Sequence, residues 1–214
     1  MTSRPVAFDA EYYRRYYENP ETRIYDQTRH AHLIEGVLGL IAWLGWPLQS
    51  VLDVGAGVGW WKTWLKKHRK HVRYLGTEME RSICKRYGHQ QADIRTWRPE
   101  RRFDLVVCHG VLPYVDDAGL PGAIENLAAG CEGFLYLEAI TKRDVAGNVD
   151  TDLTDTRVHQ RSGAVYRKLL APHFRQIGAG LWAKRDAALV FYELEVPAER
   201  AEAQGSLSRS MSKA

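Results

Sequence analysis

Cysteine is scarce in this 214-residue chain: Cys84, Cys108 and Cys131 are the only three, each more than 20 residues from the next. No CxxC pair and no Cys/His cluster occurs, so neither a zinc ribbon nor a disulfide framework is indicated. An odd, sparse set of thiols suits a reducing compartment, and a cytoplasmic location is expected. Long apolar runs are absent too. Nothing approaches the roughly 20 apolar residues of a membrane span, and the N-terminus has no apolar core of a secretion signal. No internal repeat is present. A glycine-rich segment exists, but no Gly-Lys-Ser/Thr follows it, which excludes a phosphate-binding P-loop. Charge of one sign is not in large excess. The formal net charge of +4 is too small to imply a nucleic-acid partner. It is unevenly spread, with 13 Lys/Arg against 4 Asp/Glu between Trp60 and Arg102, and 9 against 13 between Phe103 and Val196. The basic stretch reads as a solvated helix face, with phosphate contact as the alternative.

What is present is an ordinary apolar fraction of 45%, enough for a core, and a clear alternation of strand and helix patterns. Residues 1–48 are expected to form a helical cap. Asp9 is placed to cap a first helix, with Phe8 and Tyr13 as a hydrophobic staple, and Asn19-Pro20 stops it. A second helix is expected over 27–44, from the spacing of Leu33, Val37, Leu40, Ile41 and Leu44. Strands are expected at 51–54, 72–78, 89–92, 104–109 and 133–139. Helices are expected at 59–69, 80–87, 117–129 and 162–171. Such alternation predicts a three-layer α/β domain over 49–196 around a mostly parallel sheet. Residues 141–160 read as polar and turn-rich. Two runs, 174–182 and 187–196, are predicted to close the sheet as an antiparallel pair turning at 183–186. Residues 197–214 are expected to form a flexible tail.

The segment Val51 to Trp61 carries the most chemistry. An apolar strand ends at Asp53, Gly55, Gly57 and Gly59 follow at alternate positions, and a helix begins directly after. A turn of this kind lets a ligand lie against bare backbone at the carboxyl end of a parallel strand. A nicotinamide-binding turn would place its third glycine at position 60, where this chain has Trp60. Trp60 and Trp61 read as packing residues, with Trp60 near enough to the turn to line a pocket.

Four segments, in order, resemble the class I S-adenosylmethionine-dependent methyltransferases. They are Asp53-Val-Gly-Ala-Gly-Val-Gly59, Tyr74-Leu-Gly-Thr-Glu78, Gln91-Ala-Asp93-Ile94, and Phe103-Asp-Leu-Val-Val-Cys-His-Gly-Val-Leu-Pro-Tyr114. The resemblance spans about residues 50–196 and implies a Rossmann-like seven-stranded, mostly parallel sheet with an antiparallel last strand. It implies S-adenosylmethionine as cofactor and S-adenosylhomocysteine as product. Asp53, Gly55, Ala56, Gly57 and Gly59 would approach the cofactor's amino-acid part. Glu78 would accept from the ribose hydroxyls, with Met79 beside it. Asp93 would accept from the adenine amino group and Ile94 would cover the ring. Cys108 and His109 would end the fourth strand beside the transferred methyl group.

His109 is the candidate general base, because an unperturbed imidazole titrates near neutrality. Tyr13, Tyr17, Tyr114, His159 and Arg161 are candidate acceptor-binding residues. The N-terminal tyrosines, Tyr12, Tyr13, Tyr16 and Tyr17, are placed either to roof the site or to pack the cap. No metal is expected. Asp152, Asp155 and His159 could share a helix face, but Thr151 to Thr156 reads as a capping turn. Family members that methylate amino groups of bases or glutamine usually carry Asn/Asp-Pro-Pro-Tyr/Phe after the fourth strand, and this chain has Cys108-His109-Gly110-Val111 there. The leading expectation is methylation of oxygen or nitrogen on a small molecule, natural-product intermediates included. The alternatives are RNA or protein docking through the basic helix at 62–73, and a non-catalytic domain. Nucleic acid and membrane are not expected partners. Monomer and homodimer stay open.

Overall fold

The computed structural model describes residues 8–23 and 25–197. Most of the predicted tail, from 198 onward, lies outside the described residues. At the centre is β1 (Ser50–Val54), all five of whose residues are buried. It pairs in parallel with β2 (Arg73–Glu78) on one side and β4 (Phe103–His109) on the other. The short β3 (Gln90–Gln91) extends the sheet past β2, and β5 (Cys131–Glu138) extends it past β4, both in parallel. β6 (Phe174–Gly178) and β7 (Leu181–Lys184) complete the sheet, in the order β3-β2-β1-β4-β5-β7-β6. β7 runs antiparallel to both neighbours. The predicted seven-stranded, mostly parallel sheet with an antiparallel last strand is therefore present.

Alternation along the strands sends side chains to two apolar layers. Leu52, Val54, Val106, Leu135 and Leu137 pack on one face with α5 (Leu120–Gly130) and α7 (Gly163–Leu170). Val51, Leu105, Val107 and Phe134 pack on the other with α2 (Gln27–Trp43) and α3 (Trp60–His68). A strand covered on both faces can be apolar at nearly every position, and β4 is. α4 (Arg81–Tyr87) joins β2 to β3. No helix among the described residues is long and apolar enough to cross a membrane.

Three expectations change. The closing hairpin turns at Gly178-Ala179-Gly180, not at 183–186, and 187–196 forms no strand. Ala179 has φ 47° and Gly180 φ 81°, and at Gly180 a Cβ would sit 2.9 Å from the Tyr136 ring, so this tight reversal needs glycine. Leu189 and Phe191 still pack against the core, which explains their apolar pattern without a strand. Within 141–160 lies a further helix, α6 (Lys142–Gly147), closed by a capping box between Thr141 and Asp144. At the N-terminus, Asp9 caps α1 (Ala10–Tyr13) as predicted, but the helix widens to a π-turn over Arg14–Glu18. Phe8 meets Tyr12 and Tyr114 edge-on at ring distances of 5.1 and 5.0 Å.

Candidate active site

From β1 the sheet connections run one way to β2 and β3 and the other way to β4 and β5. That divergence opens a crevice above the carboxyl ends of β1 and β4, the usual ligand position in open α/β sheets. The glycine turn forms its floor. The Ala56 N–H donates to the Thr77 carbonyl at 2.9 Å, tying the turn to β2. Gly55 has φ 68°, and a Cβ there would lie 2.3 Å from Val111 Cγ2. Gly57 has φ 52° and lies under the Tyr13 ring. Both positions exclude a side chain on conformation, and Gly55 on space as well. Gly59 differs: it faces His89 and starts α3 in a left-handed conformation, so it shapes the turn from behind.

Glu78 ends β2 with its carboxylate buried and oriented. It accepts from the Gly57 N–H at 3.2 Å and the Met79 N–H at 2.7 Å. Beside it a cavity of about 650 Å³ is lined by Glu78, Met79, Asp93, Ile94, Tyr13 and Val111. Asp93 is not free, because Arg95 holds both its oxygens, with Nε at 3.0 and 2.9 Å, and keeps its carboxyl below the usual range. Tyr13 is buried at 3% exposure against Gly57, and burial followed by the nearby Glu78 carboxylate pushes its phenol pKa up. Tyr13 thus sits on the Glu78 side of the crevice, away from the site expected for an acceptor.

A second cavity of about 180 Å³ adjoins the first, and Gly55, His109, Gly110, Tyr17 and Tyr114 line both. Its floor includes Asp53. That carboxyl is 3% exposed and accepts from the Tyr74 hydroxyl at 2.7 Å. Burial pushes its pKa up to about 7, against the opposing pull of Tyr74 and His109.

His109 ends β4 directly opposite Glu138 at the end of β5. Its Nε2 is paired with a Glu138 carboxylate oxygen. Burial raises the Glu138 pKa, but the hydrogen bond and charge of His109 outweigh it, and the carboxyl stays below its usual range. The imidazole stacks on His30 at 5.2 Å with 12° between planes. His30 is itself buried, which drives its pKa down to about 3 and keeps it neutral. In the neutral tautomer that donates from Nε2 to Glu138, Nδ1 is the nitrogen with a lone pair, and it has no hydrogen-bond partner among the described residues. Trp61 Nε1 and Thr154 Oγ1, on residues lining the same cavity, are also buried without partners.

Tyr114 is brought to the site in a chain in which Tyr12 donates to its hydroxyl at 2.8 Å and it donates to Asp155 at 3.2 Å. His159 lines the larger cavity, with its backbone N–H on the Pro113 carbonyl. Two expected site residues are not there. Cys108 is fully buried and its alternating position points it into the core beside Leu112 and Tyr166, so it lines neither cavity. Arg161 is 6% exposed, and its guanidinium donates to Asp117, the Leu112 carbonyl and the Val115 carbonyl, bracing the loop after β4 rather than facing a ligand. Lys62 of the basic helix is likewise spent, on the Tyr87 and Gly88 carbonyls at 2.6 and 2.9 Å.

Sequence reasoning missed Glu138, which pairs with His109, and His30 and Tyr25, which line the same cavity. The signal for Glu138 was a carboxylate ending the apolar run Gly133-Phe-Leu-Tyr-Leu, on the strand next to β4. His30 gave none, because a histidine within an amphipathic helix is unremarkable until the helix is docked.

Comparison with solved structures finds the same fold at low identity. The plantazolicin methyltransferase BpumL, solved with S-adenosylhomocysteine and a monoazolic desmethyl-plantazolicin analogue, aligns at TM-score 0.56 and 13% identity. That alignment covers 68% of this chain and 63% of BpumL, so the chain spans under two thirds of that enzyme. Magnesium protoporphyrin IX methyltransferase from Synechocystis PCC 6803, solved with bound S-adenosylmethionine, aligns at TM-score 0.50 and 17% identity, over 74% of this chain and 82% of that one. The PH0226 protein of Pyrococcus horikoshii OT3 aligns at TM-score 0.55 and 14% identity, over 82% and 97%. No curated protein matches. A family model described as a methyltransferase domain matches residues 23–180. With that match covering most of its length, the chain belongs to the methyltransferase-domain family, on the class I Rossmann-like sheet.

Proposed function

We propose that this chain transfers a methyl group from S-adenosylmethionine to an oxygen or nitrogen of a small molecule, with His109 as general base. The observation that carries the reading is the His109–Glu138 pair at the junction of two adjoining cavities. The larger cavity fits the cofactor. Its volume lies within the roughly 300–1,000 Å³ of ligand pockets, Gly55 on its wall excludes a side chain, and its buried Glu78 carboxylate is already oriented. Two of the structural neighbours were solved with this cofactor or its product.

The cofactor supplies an electrophilic methyl group on a sulfonium. Glu78 accepts from the ribose hydroxyls, Ile94 and Met79 flank the adenine, and Asp93, held by Arg95, offers its remaining lone pairs to the adenine edge. Ala56 and Gly57 border the amino-acid part through backbone, and Asp53 faces its ammonium. Tyr17 and Tyr114, which line both cavities, border the acceptor, and His159 lies on the cofactor side. Glu138 fixes the His109 tautomer so that the opposite nitrogen can take the acceptor's proton, the same division of labour as between carboxylate and imidazole in a hydrolytic triad. Alignment of donor and acceptor supplies much of the rate, and the base adds about 10²–10⁴-fold.

Calorimetric titration with S-adenosylhomocysteine tests the reading. One-to-one binding in the micromolar range is expected. Absence of heat at millimolar ligand overturns it.

A further inference from the structure

The two cavities differ in the charges that line them. The larger one includes Arg95 and Arg157. The smaller one has no lysine or arginine among its described lining residues, and its charged members are Asp53, Glu138 and Asp155. Aromatic side chains make up much of its remaining lining, from Tyr17, Tyr25, Trp60 and His30. Asp155 is neutralised by Arg157, and Asp53 lies at the glycine-turn end. Glu138 is therefore the carboxylate at the acceptor end.

An acceptor bearing a carboxylate or phosphate would lose its hydration there and find no lysine or arginine of the chain in return. A cation meets both kinds of partner it favours, carboxylates and the negative faces of aromatic rings. The unpartnered atoms fit the same ligand. His109 Nδ1 and Thr154 Oγ1 can each accept a hydrogen bond, and an ammonium group offers three N–H donors. Trp61 Nε1 can only donate, but Trp61 belongs to the first turn of α3, beside the glycine turn, where the cofactor's own carboxylate would lie.

We infer that the methyl acceptor is an amine on an apolar or aromatic body, entering as an ammonium ion, and that this chain is an N-methyltransferase. The inference rests on the methyl-transfer function proposed above. The ammonium gives one proton to His109 Nδ1, and Glu138 balances the imidazolium so formed. The freed nitrogen lone pair forms the N–C bond as the methyl C–S bond breaks, and that bond's electron pair stays on sulfur. The product leaves as a methylated ammonium, and His109 returns its proton to solvent.

Three probes of matched shape separate acceptor charge: 2-phenylethylamine, 2-phenylethanol and 3-phenylpropionate. Each is titrated into protein saturated with S-adenosylhomocysteine, following tryptophan fluorescence and heat. The amine should bind about tenfold or more tightly than the carboxylate, the scale of one cation–π contact with one charge pair, with the alcohol between. In Glu138→Gln the preference for the amine should shrink severalfold at unchanged S-adenosylhomocysteine affinity, which also reports that the variant is folded. Equal affinity across the series, preference for the carboxylate, or no binding of the amine at millimolar concentration overturns the inference. Failure to bind S-adenosylhomocysteine is a separate result, and it overturns the methyl-transfer reading instead.

Discussion

Replacing Asp53 by asparagine should make the ligand-free protein more stable at alkaline pH and make it a poorer binder of the cofactor. Asp53 is 3% exposed, and its pKa is raised from 3.8 to about 7. Below pH 3.8 the carboxyl is protonated in folded and unfolded chains alike, and no penalty exists. Between the two values the folded protein holds a proton that the unfolded chain has lost. Stability therefore falls as pH rises towards 7 and levels off above it. The full penalty is about 4 kcal/mol at pH 8 and less than half of that at pH 5, taking about 1.4 kcal/mol for each pH step between the unfolded and folded values. The asparagine would keep an acceptor for the Tyr74 hydroxyl without the charge. Urea denaturation of both proteins at pH 5 and pH 8 should show the variant more stable, with the gain larger by about 3 kcal/mol at the higher pH. A cofactor ammonium beside Asp53 would pull the carboxyl back to its ionised form. S-adenosylhomocysteine binding at pH 6 should then release close to one proton, seen as a dependence of binding heat on buffer ionisation enthalpy. The variant should release less and bind about tenfold more weakly, as for loss of one charge-assisted hydrogen bond. A stability gain independent of pH, or identical proton release by both proteins, would refute the assignment of Asp53.

Glu78→Ala should weaken S-adenosylhomocysteine binding by about 1.5–3 kcal/mol by calorimetry, since it removes a charged acceptor and frees the Gly57 and Met79 N–H groups. His109→Gln should lower kcat on any accepted substrate by about 10²–10⁴-fold and leave cofactor affinity unchanged; equal loss of both would mark His109 as structural. Arg161→Met should lower stability by about 2–4 kcal/mol in denaturant titration, because the Leu112 and Val115 carbonyls lose their donor, without changing KM for the acceptor. His30 should make folding weaken as pH drops below about 6.5 towards 3, since the unfolded chain takes up a proton that the folded one refuses, and His30→Phe should flatten that slope.

The parts of the site that depend on one stretch of chain were legible in the sequence. The glycine turn announces itself because positive φ and close approach leave few other residues, and Glu78 follows from the resemblance, as the residue ending the second strand about 20 residues on. The parts assembled across the fold were not. Glu138 reaches His109 because β5 lies beside β4 in register with it, and His30 because α2 docks against that strand end. Arg161 misled for a physical reason. A charge in a polar segment reads as exposed, yet the loop after β4 leaves two carbonyls needing a buried donor. The closing hairpin was misplaced because Leu189 to Phe191 has a strand's composition, while the turn it follows is set by Gly178 and Gly180.

The central claim is that a sulfonium cofactor spans the two cavities with its methyl group beside His109. A crystal structure with S-adenosylhomocysteine tests it most directly. The predicted result has the ribose hydroxyls on Glu78, the adenine against Ile94, and the sulfur facing the smaller cavity lined by His109 and Glu138. A ligand bound elsewhere, or one whose sulfur points away from His109, would contradict it.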